Sequence, residues 1–522
     1  MRVAAEQPEV CYSSRRGAMA DLTGGRLLAR NTLINLAGQG VPVLVALVAL
    51  PILIKGLGTE RFGVLTLAWI AIGYFSLFDL GLGRALTQLV SEKLAAGEED
   101  RIPSLVRATL LLMLLLGLSG ALLLLVLAPW MVRSALAIPT ALQGETLSAL
   151  YLLALSLPFV IGTTGLRGIL EAQQRFGLVN AVRVPMGAFT FIGPVLVLPF
   201  SSSLTVVVAV LVGGRVVAWL AYLLLCVRSL PGMLRGRVGF DRMTVRRLLG
   251  FGGWMTVSNL VSPLMTYLDR FLIAAALSMA AVAYYVTPYE VVTKLWLVPG
   301  AVLGVLFPAF AASFTQNRAR TLLLFERSFK TIFLALFPVI LILVTLAPEG
   351  LDLWLGAEFA QNSTRVLQWL AVGVLINSIA QIPFTTVQGI GRPDVTAKLH
   401  LIELPLYLLA LWWLIERWGI EGAAIAWVAR VSLDLLVLLG VVERFLPAST
   451  HVLRRCALAL GAAVLTLGLA VLPVGLAAKG AFLMLVLVTF VPVAWFLVLS
   501  TEERALVLQR VAMLRGGVAS SV

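Results

Sequence analysis

The chain has 522 residues, 60% hydrophobic and 13% charged, with a mean hydropathy of +0.99. A soluble domain carries about 25% charged residues, so a soluble fold is excluded and a polytopic membrane protein is indicated. The net charge of +14 reads as the Lys and Arg excess of cytoplasmic loops rather than as a nucleic-acid surface.

Residues 1–26 are polar and no apolar run adjoins them, so a cytoplasmic tail is expected rather than a cleavable signal. A membrane span needs roughly 20 apolar residues. Fourteen candidates follow: 31–54, 62–83, 104–128, 147–166, 178–199, 204–227, 248–275, 281–311, 328–347, 366–390, 396–415, 421–442, 456–475 and 480–500. All read as helices, because only helices or closed barrels satisfy their backbone in lipid and these Leu/Val/Ala runs lack the alternation of barrel strands.

Charge orients the chain. With both termini in the cytoplasm, thirty of the 40 Lys and Arg fall inside and six outside (Lys55, Arg61, Arg133, Arg365, Arg417, Lys479). Arginine resists translocation, so this split favours that orientation. The stretch Arg228–Arg247 carries six arginines against one acid, Asp241, and reads as a cytoplasmic linker between two halves. Each half holds six spans. An even number preserves orientation, so the halves form a parallel repeat. The expected organisation is a tail (1–26), an N-lobe (27–227), the linker (228–247), a C-lobe (248–447), two further helices (448–500) and a cytoplasmic tail (501–522). The fold class is an all-α polytopic membrane protein of about fourteen helices, two six-helix lobes plus a C-terminal pair.

Polar residues gather in helical stripes: Asn31, Asn35 and Gln39 on span 1; Ser258, Ser262, Thr266 and Asp269 on span 7; Thr287, Glu290 and Lys294 on span 8; Asn377, Gln381, Thr385 and Gln388 on span 10. Such stripes line a hydrated cavity or bond between helices. A charge at mid-membrane costs about 2.5–3.5 kcal/mol on insertion scales, so Arg215, Arg270, Lys294 and Arg430 need a cavity or a partner. Arg430 and Asp434 are spaced to neutralise each other at i, i+4, as are Glu290 and Lys294. Asp269 and Arg270 are adjacent, so their side chains are expected to diverge toward other helices. His400 and Glu403 are spaced for a structural bond or a proton relay. Asp269, Glu290 and Glu403 are the candidate ion-coupling carboxylates.

No P-loop, H-E-x-x-H or G-x-S-x-G is present, so no catalytic residue is assigned. Cys11, Cys226 and Cys456 are scattered, and His400 and His451 lie far apart; no metal or disulfide site is expected. No cofactor is called for. Energy would come from an H⁺ or Na⁺ gradient, the membrane potential or the substrate gradient.

Four stretches carry a resemblance. Phe78–Glu92 (FDLGLGRALTQLVSE), Leu170–Asn180 (LEAQQRFGLVN), Tyr267–Tyr285 (YLDRFLIAAALSMAAVAYY) and Gln388–Lys398 (QGIGRPDVTAK) resemble, in order and spacing, the Wzx-type oligosaccharide flippases of the multidrug/oligosaccharidyl-lipid/polysaccharide exporter superfamily. The resemblance covers about residues 27–447. It implies two lobes that open alternately, and a cationic cavity for an undecaprenyl-linked oligosaccharide diphosphate in a bacterial cytoplasmic (inner) membrane. It matches Arg270 and Lys294 to charges of the second lobe and Arg84 to the basic end of FDLGLGR. With Arg30, Asn35 and Arg215 these are the candidate substrate-binding residues. Expected partners are membrane lipid, the lipid-linked glycan, and a polysaccharide polymerase with other assembly proteins. Alternative readings are a lipid II flippase, a cation-coupled multidrug exporter of the same superfamily, and a membrane glycosyltransferase or polymerase. Span 1 begins Ala29-Arg30-Asn31, without the acidic neighbour expected of the lipid II type.

Overall fold

The computed structural model describes residues 25–75, 82–95, 97–173, 175–230, 232–233, 253–316, 318–446, 450–472, 474–499 and 503–505. All regular elements among them are helical. In chain order they are α1 (Gly25–Leu57), α2 (Thr59–Phe75), α3 (Leu82–Ala95), α4 (Ile102–Trp130), α5 (Thr140–Ala172), α6 (Phe176–Val197), α7 (Leu204–Ser229), α8 (Gly253–Ala276), α9 (Met279–Thr293), α10 (Leu297–Gln316), α11 (Arg318–Thr345), α12 (Ala347–Leu355), α13 (Ala357–Gly389), α14 (Pro393–Phe445), α15 (Thr450–Ala470) and α16 (Leu476–Val493). Ten helical segments among the described residues are long and apolar enough to cross a membrane, and the chain is a multi-pass membrane protein. The expected spans 62–83, 248–275 and 281–311 correspond to α2, α8 and the pair α9–α10, outside those ten. The expected spans 396–415 and 421–442 correspond to the two arms of α14, either side of Gly419. Most of the linker, residues 234–247, lies outside the described residues.

Two breaks have local causes. Between α9 and α10 lies a single 3₁₀ turn, Lys294–Trp296. It sits one turn before Pro299, whose ring lacks an N–H and crowds the carbonyl four residues back. In α14 the chain reverses at Gly419, φ +57, a left-handed conformation that favours glycine. A side chain at Gly422 would run into the Leu414 carbonyl, so the second half of α14 starts against the end of the first. The element is a helical hairpin.

The chain divides into two compact units. The first comprises residues 1–57, 81–127 and 148–251; the second comprises 58–80, 128–147 and 252–522. In the first unit, α3 to α7 share a core that includes Leu86, Val106, Met113, Ile169, Tyr222 and Cys226. Small residues let these helices approach. Gly117 of α4 lies against Pro158 of α5, and Gly165 of α5 against Met113. Tyr222 donates to the Val179 carbonyl at 3.0 Å and Cys226 to the Leu166 carbonyl at 3.2 Å. The opposite faces are apolar and exposed, as at Leu122, Val126 and Leu196, which suits lipid. Beyond α3, the Lys93 ammonium at 3.1 Å, with Arg101 beside it, holds the Glu98 carboxyl below its ordinary range.

In the second unit, α2 packs on α9, and α13 packs on α14, α11 and α9. A side chain at Gly63 of α2 would meet the Met279 backbone carbonyl. Arg61 donates twice to Glu145, at 3.2 and 3.1 Å. The terminal helices are fastened to α11 and α12. Phe329, Phe333 and Phe337 stack along α11 with centroids 5.5 Å apart, and Phe490 of α16 continues the row at 5.2 Å. Near one end of α16, Lys479 is buried and lies 2.7 Å from Glu349 of α12. Burial alone would raise the Glu349 carboxyl, but this ammonium outweighs it and leaves the carboxyl below its ordinary range. Beyond the other end, Glu503 lies 3.5 Å from Lys330 and 3.7 Å from Arg327.

Candidate functional site

The charged residues of the second unit fall into three arrangements. The first is closed. Asp269 and Arg270 on α8 are both fully buried and 3.2 Å apart. Contrary to the expected divergence, the side chains turn toward each other. Asp269 Oδ1 accepts the Arg270 backbone N–H at 2.8 Å, and the guanidinium folds back to donate to the Thr266 carbonyl. Tyr285 of α9 donates to Asp269 Oδ2 at 2.7 Å, and the guanidinium lies 4.0 Å from the centre of the Tyr289 ring. Arg270 Nε and Nη2 have no hydrogen-bond partner. The planar cation is thus held between a carboxylate and aromatic faces, which suits arginine.

The second is an exposed pair. Lys294 donates to Glu290 at 2.8 Å across one helical turn. Both side chains keep more than a third of their exposure, so the pair contributes little to stability.

The third is open. A cavity of about 240 Å³ is lined by Thr266, Trp296, Asn377, Ala380, Gln381, Phe384, His400, Trp427, Arg430 and Asp434. The α14 hairpin builds much of it. Reversal at Gly419 brings Tyr407 opposite Arg430, 5.8 Å from ring centre to guanidinium, and His400 and Glu403 opposite Asp434. Ligand atoms of those last three lie within 4.8 Å of one another, and all three residues are buried. His400 Nδ1, both Glu403 oxygens and Asp434 Oδ1 have no hydrogen-bond partner. A buried carboxylate without a partner is costly, so this cluster is poised to take a proton or a cation. The His400 ring is fixed by stacking on Phe384, 5.7 Å between centroids.

Arg430 and Asp434 do not pair among the described residues. Arg430 Nη1 instead donates to Met265 Sδ at 3.4 Å, and its Nε has no partner. Across the cavity, Gln381 donates to Asn377 Oδ1 at 3.3 Å. The polar stripe expected on span 10 thus lines this space with Asn377 and Gln381.

In the first unit, Arg215 lies half-buried on α7 and makes no hydrogen bond or ion pair among the described residues. The side chains of Arg30, Asn35 and Arg84 lie outside the described residues. Of the expected substrate and coupling residues, the structure joins Asp269 to Arg270 and Glu290 to Lys294, and places Glu403 beside the cavity. The expectations had not placed Arg430, Asp434 and Trp296 in one site. The hairpin register at Gly419 aligns residues 400–407 with 430–434, an alignment that only the folded chain displays.

Residues 28–314 match the family described as "Polysaccharide biosynthesis protein". A Shigella flexneri protein named as an O-antigen transporter is 33% identical over 419 residues, 79% of this chain and 96% of that protein. A Haloferax volcanii protein named as a low-salt glycan biosynthesis flippase is 25% identical over 182 residues, 35% of this chain and 38% of that protein. Among solved structures, the inward-facing conformation of a multidrug resistance MATE family transporter of the MOP superfamily superposes with a TM-score of 0.65 at 16% identity, over 80% of this chain and 99% of that one. A MOP superfamily transporter from Pyrococcus furiosus superposes with a TM-score of 0.58 at 16% identity, over 80% and 95%. These structures share the fold. The family match over more than half of the sequence, and the near full-length Shigella relative, show that the chain belongs to the polysaccharide biosynthesis protein family.

Proposed function

We propose that this protein is a flippase, which moves a polyprenyl-diphosphate-linked oligosaccharide across the bacterial cytoplasmic membrane during cell-surface polysaccharide assembly. The observation that carries this reading is the near full-length similarity to a protein named as an O-antigen transporter. The cavity with an unpaired cation supports it. A diphosphate headgroup crossing hydrocarbon needs counter-charge and hydrogen-bond donors in a shielded space. Arg215 and Lys294 retain exposure, and Arg430 faces the cavity; with Arg30, Asn35 and Arg84 they are the proposed headgroup contacts. Arg270 is held inside its own unit by Asp269 and Tyr289, so its proposed contribution is to shape the cavity wall. The polyprenyl chain stays in lipid. Transport of this kind has no covalent step and assigns no catalytic residue. A polysaccharide polymerase and other assembly proteins are the proposed partners.

Depletion of the protein in its host tests the reading, in a strain with no second flippase. Lipid-linked glycan is expected to accumulate facing the cytoplasm, protected from a glycosidase added outside. Delivery at the normal rate would overturn the proposal.

Both termini are proposed to be cytoplasmic, on the thirty-to-six charge split. Single cysteines at Ser202 and Gly356 are then expected to label from outside, and one at Gly236 only from inside. Labelling of position 236 from outside reverses the orientation.

Coupling to an H⁺ or Na⁺ gradient is proposed at Glu403. Of the three candidate carboxylates, Asp269 is occupied by Arg270 and Tyr285, and Glu290 by Lys294. Glu403 is buried and unpartnered, the condition in which a carboxylate in a membrane helix binds a cation.

A further inference from the structure

His400 and Glu403 stand at i, i+3 on the first arm of α14, so they share one face of that helix. The reversal at Gly419 sets Asp434 of the second arm against them. Together they offer one imidazole nitrogen and two carboxylates, with ligand atoms within 4.8 Å of one another. His400 and Asp434 are 6% exposed and Glu403 is 3% exposed. His400 Nδ1, both Glu403 oxygens and Asp434 Oδ1 find no hydrogen-bond partner among the described residues. Two carboxylates buried together forgo hydration and repel, a cost that a shared cation offsets. Arg430 lines the same cavity, but Met265 and Tyr407 hold its guanidinium.

We propose that this cluster binds a divalent transition-metal ion of the zinc class, and that the ion, once held, arrests transport. The arrest rests on the flippase reading with Glu403 as coupling carboxylate; the binding rests on neither. The donors select the metal. Imidazole suits zinc and its neighbours, whereas Mg²⁺ and Ca²⁺ prefer oxygen, roughly 6–8 oxygens for Ca²⁺. Three side chains are the number zinc keeps in sites with an open fourth position. Ligands at tetrahedral angles with bonds of about 2.0–2.1 Å stand roughly 3.3 Å apart. A spread within 4.8 Å therefore contracts by roughly 1.5 Å at most on binding, within reach of carboxylate rotation.

His400 and Asp434 line the cavity, so the fourth position faces it and the same opening is the entry path. The stack of His400 on Phe384, 5.7 Å between centroids, already orients the ring, which lowers the ordering cost of binding. A coupling proton or Na⁺ must bind and leave Glu403 in each cycle. A divalent ion held from both arms of the hairpin leaves more slowly, and while it stays Glu403 cannot exchange the coupling ion.

The test uses the full-length Cys11→Ser protein in lipid nanodiscs, stripped with a chelator, with Zn²⁺ and Co²⁺ as probes. Zn²⁺ is titrated in competition with a chromophoric chelator, and one ion per chain is expected. His400→Gln, Glu403→Gln and Asp434→Asn, each checked for folding by its thermal unfolding midpoint, should weaken binding by more than the roughly 10–100-fold that loss of a group merely supporting a ligand costs. Bound Co²⁺ should show the visible bands of a four-coordinate ion, without the near-ultraviolet sulfur-to-metal band that Cys226 or Cys456 would add. The wild-type Co²⁺ spectrum needs no variant, so it tests the site even where a substitution prevents folding. Stoichiometric binding that survives all three substitutions, a sulfur band, or no binding by folded protein each overturns the site. In proteoliposomes, inversion of lipid-linked glycan is compared with and without Zn²⁺, each protein against its own metal-free rate. At about ten times the dissociation constant, occupancy should leave roughly a tenth of the wild-type rate and leave the His400→Gln rate unchanged. Wild-type inversion that saturating Zn²⁺ does not slow overturns the arrest. Failure of the metal-free wild type to invert any glycan overturns the flippase reading instead, and the titration still decides the site.

Discussion

Arg270→Ala is expected to destabilise the protein by roughly 3–5 kcal/mol, the usual consequence of removing one member of a buried ion pair. The alanine leaves Asp269 as a buried carboxylate whose remaining donors are the Tyr285 hydroxyl and the position 270 backbone N–H. It also empties the space over the Tyr289 ring. The double variant Asp269→Asn/Arg270→Met is expected to recover most of the loss. Neutral groups of similar volume often replace a buried pair at little cost, and the asparagine oxygen still accepts from Tyr285. Thiol reactivity during heating measures both, because Cys226 and Cys456 are buried in the fold and become reactive on unfolding. A Cys11→Ser background removes the remaining thiol. If the single and double variants unfold at the same temperature, the pair does not hold the unit together as described.

Glu403→Gln separates stability from transport in the opposite sense. Both Glu403 oxygens are buried and lack partners, so a neutral amide of the same shape is expected to leave the unfolding midpoint unchanged or raised. Gradient-dependent transport is expected to fall by about tenfold or more, or about 1.4 kcal/mol or more in transition-state terms. Glu290→Gln is the contrast. It leaves Lys294 in an exposed setting and is expected to change stability by less than about 1 kcal/mol. Proteoliposome uptake under imposed pH, Na⁺ and potential gradients reads the coupling. Wild-type gradient dependence in Glu403→Gln would remove the coupling role from this carboxylate.

These expectations show which features the sequence exposes. Long apolar runs such as 104–128 and 204–227 became α4 and α7 because a helix in lipid needs little beyond length and apolarity. The Pro299 break was foreseeable because proline acts on its own preceding turn. What stayed hidden depended on tertiary pairing. Lys479 read as an ordinary cation near a membrane surface, but its partner Glu349 lies 130 residues earlier. Arg430 and Asp434 read as a possible self-neutralising pair, but Met265 on another helix draws the guanidinium away. Adjacent Asp269 and Arg270 read as diverging, yet a long side chain can fold back along its own helix. The cavity was legible only as fragments: a stripe on α13 and an i, i+3 pair on α14. Their convergence is set by one glycine with a positive φ, whose effect on register no local pattern displays.

The ion pair between Lys479 and Glu349 also bears on how the protein is made. At about 5–20 residues per second, a ribosome needs roughly 7–26 s to add the 130 residues that separate Glu349 from Lys479. The 173 residues between Lys330 and Glu503 impose a similar delay. Until then Glu349 of α12 lacks the Lys479 ammonium and the phenylalanine row of α11 lacks Phe490. Lys479 and Phe490 of α16, and Glu503 beyond it, supply the missing contacts. The Lys479–Glu349 contact is therefore made only after α16 has followed α12, and a nascent chain stalled before α16 leaves Glu349 without the Lys479 ammonium, an unmatched charge that membrane quality control can recognise.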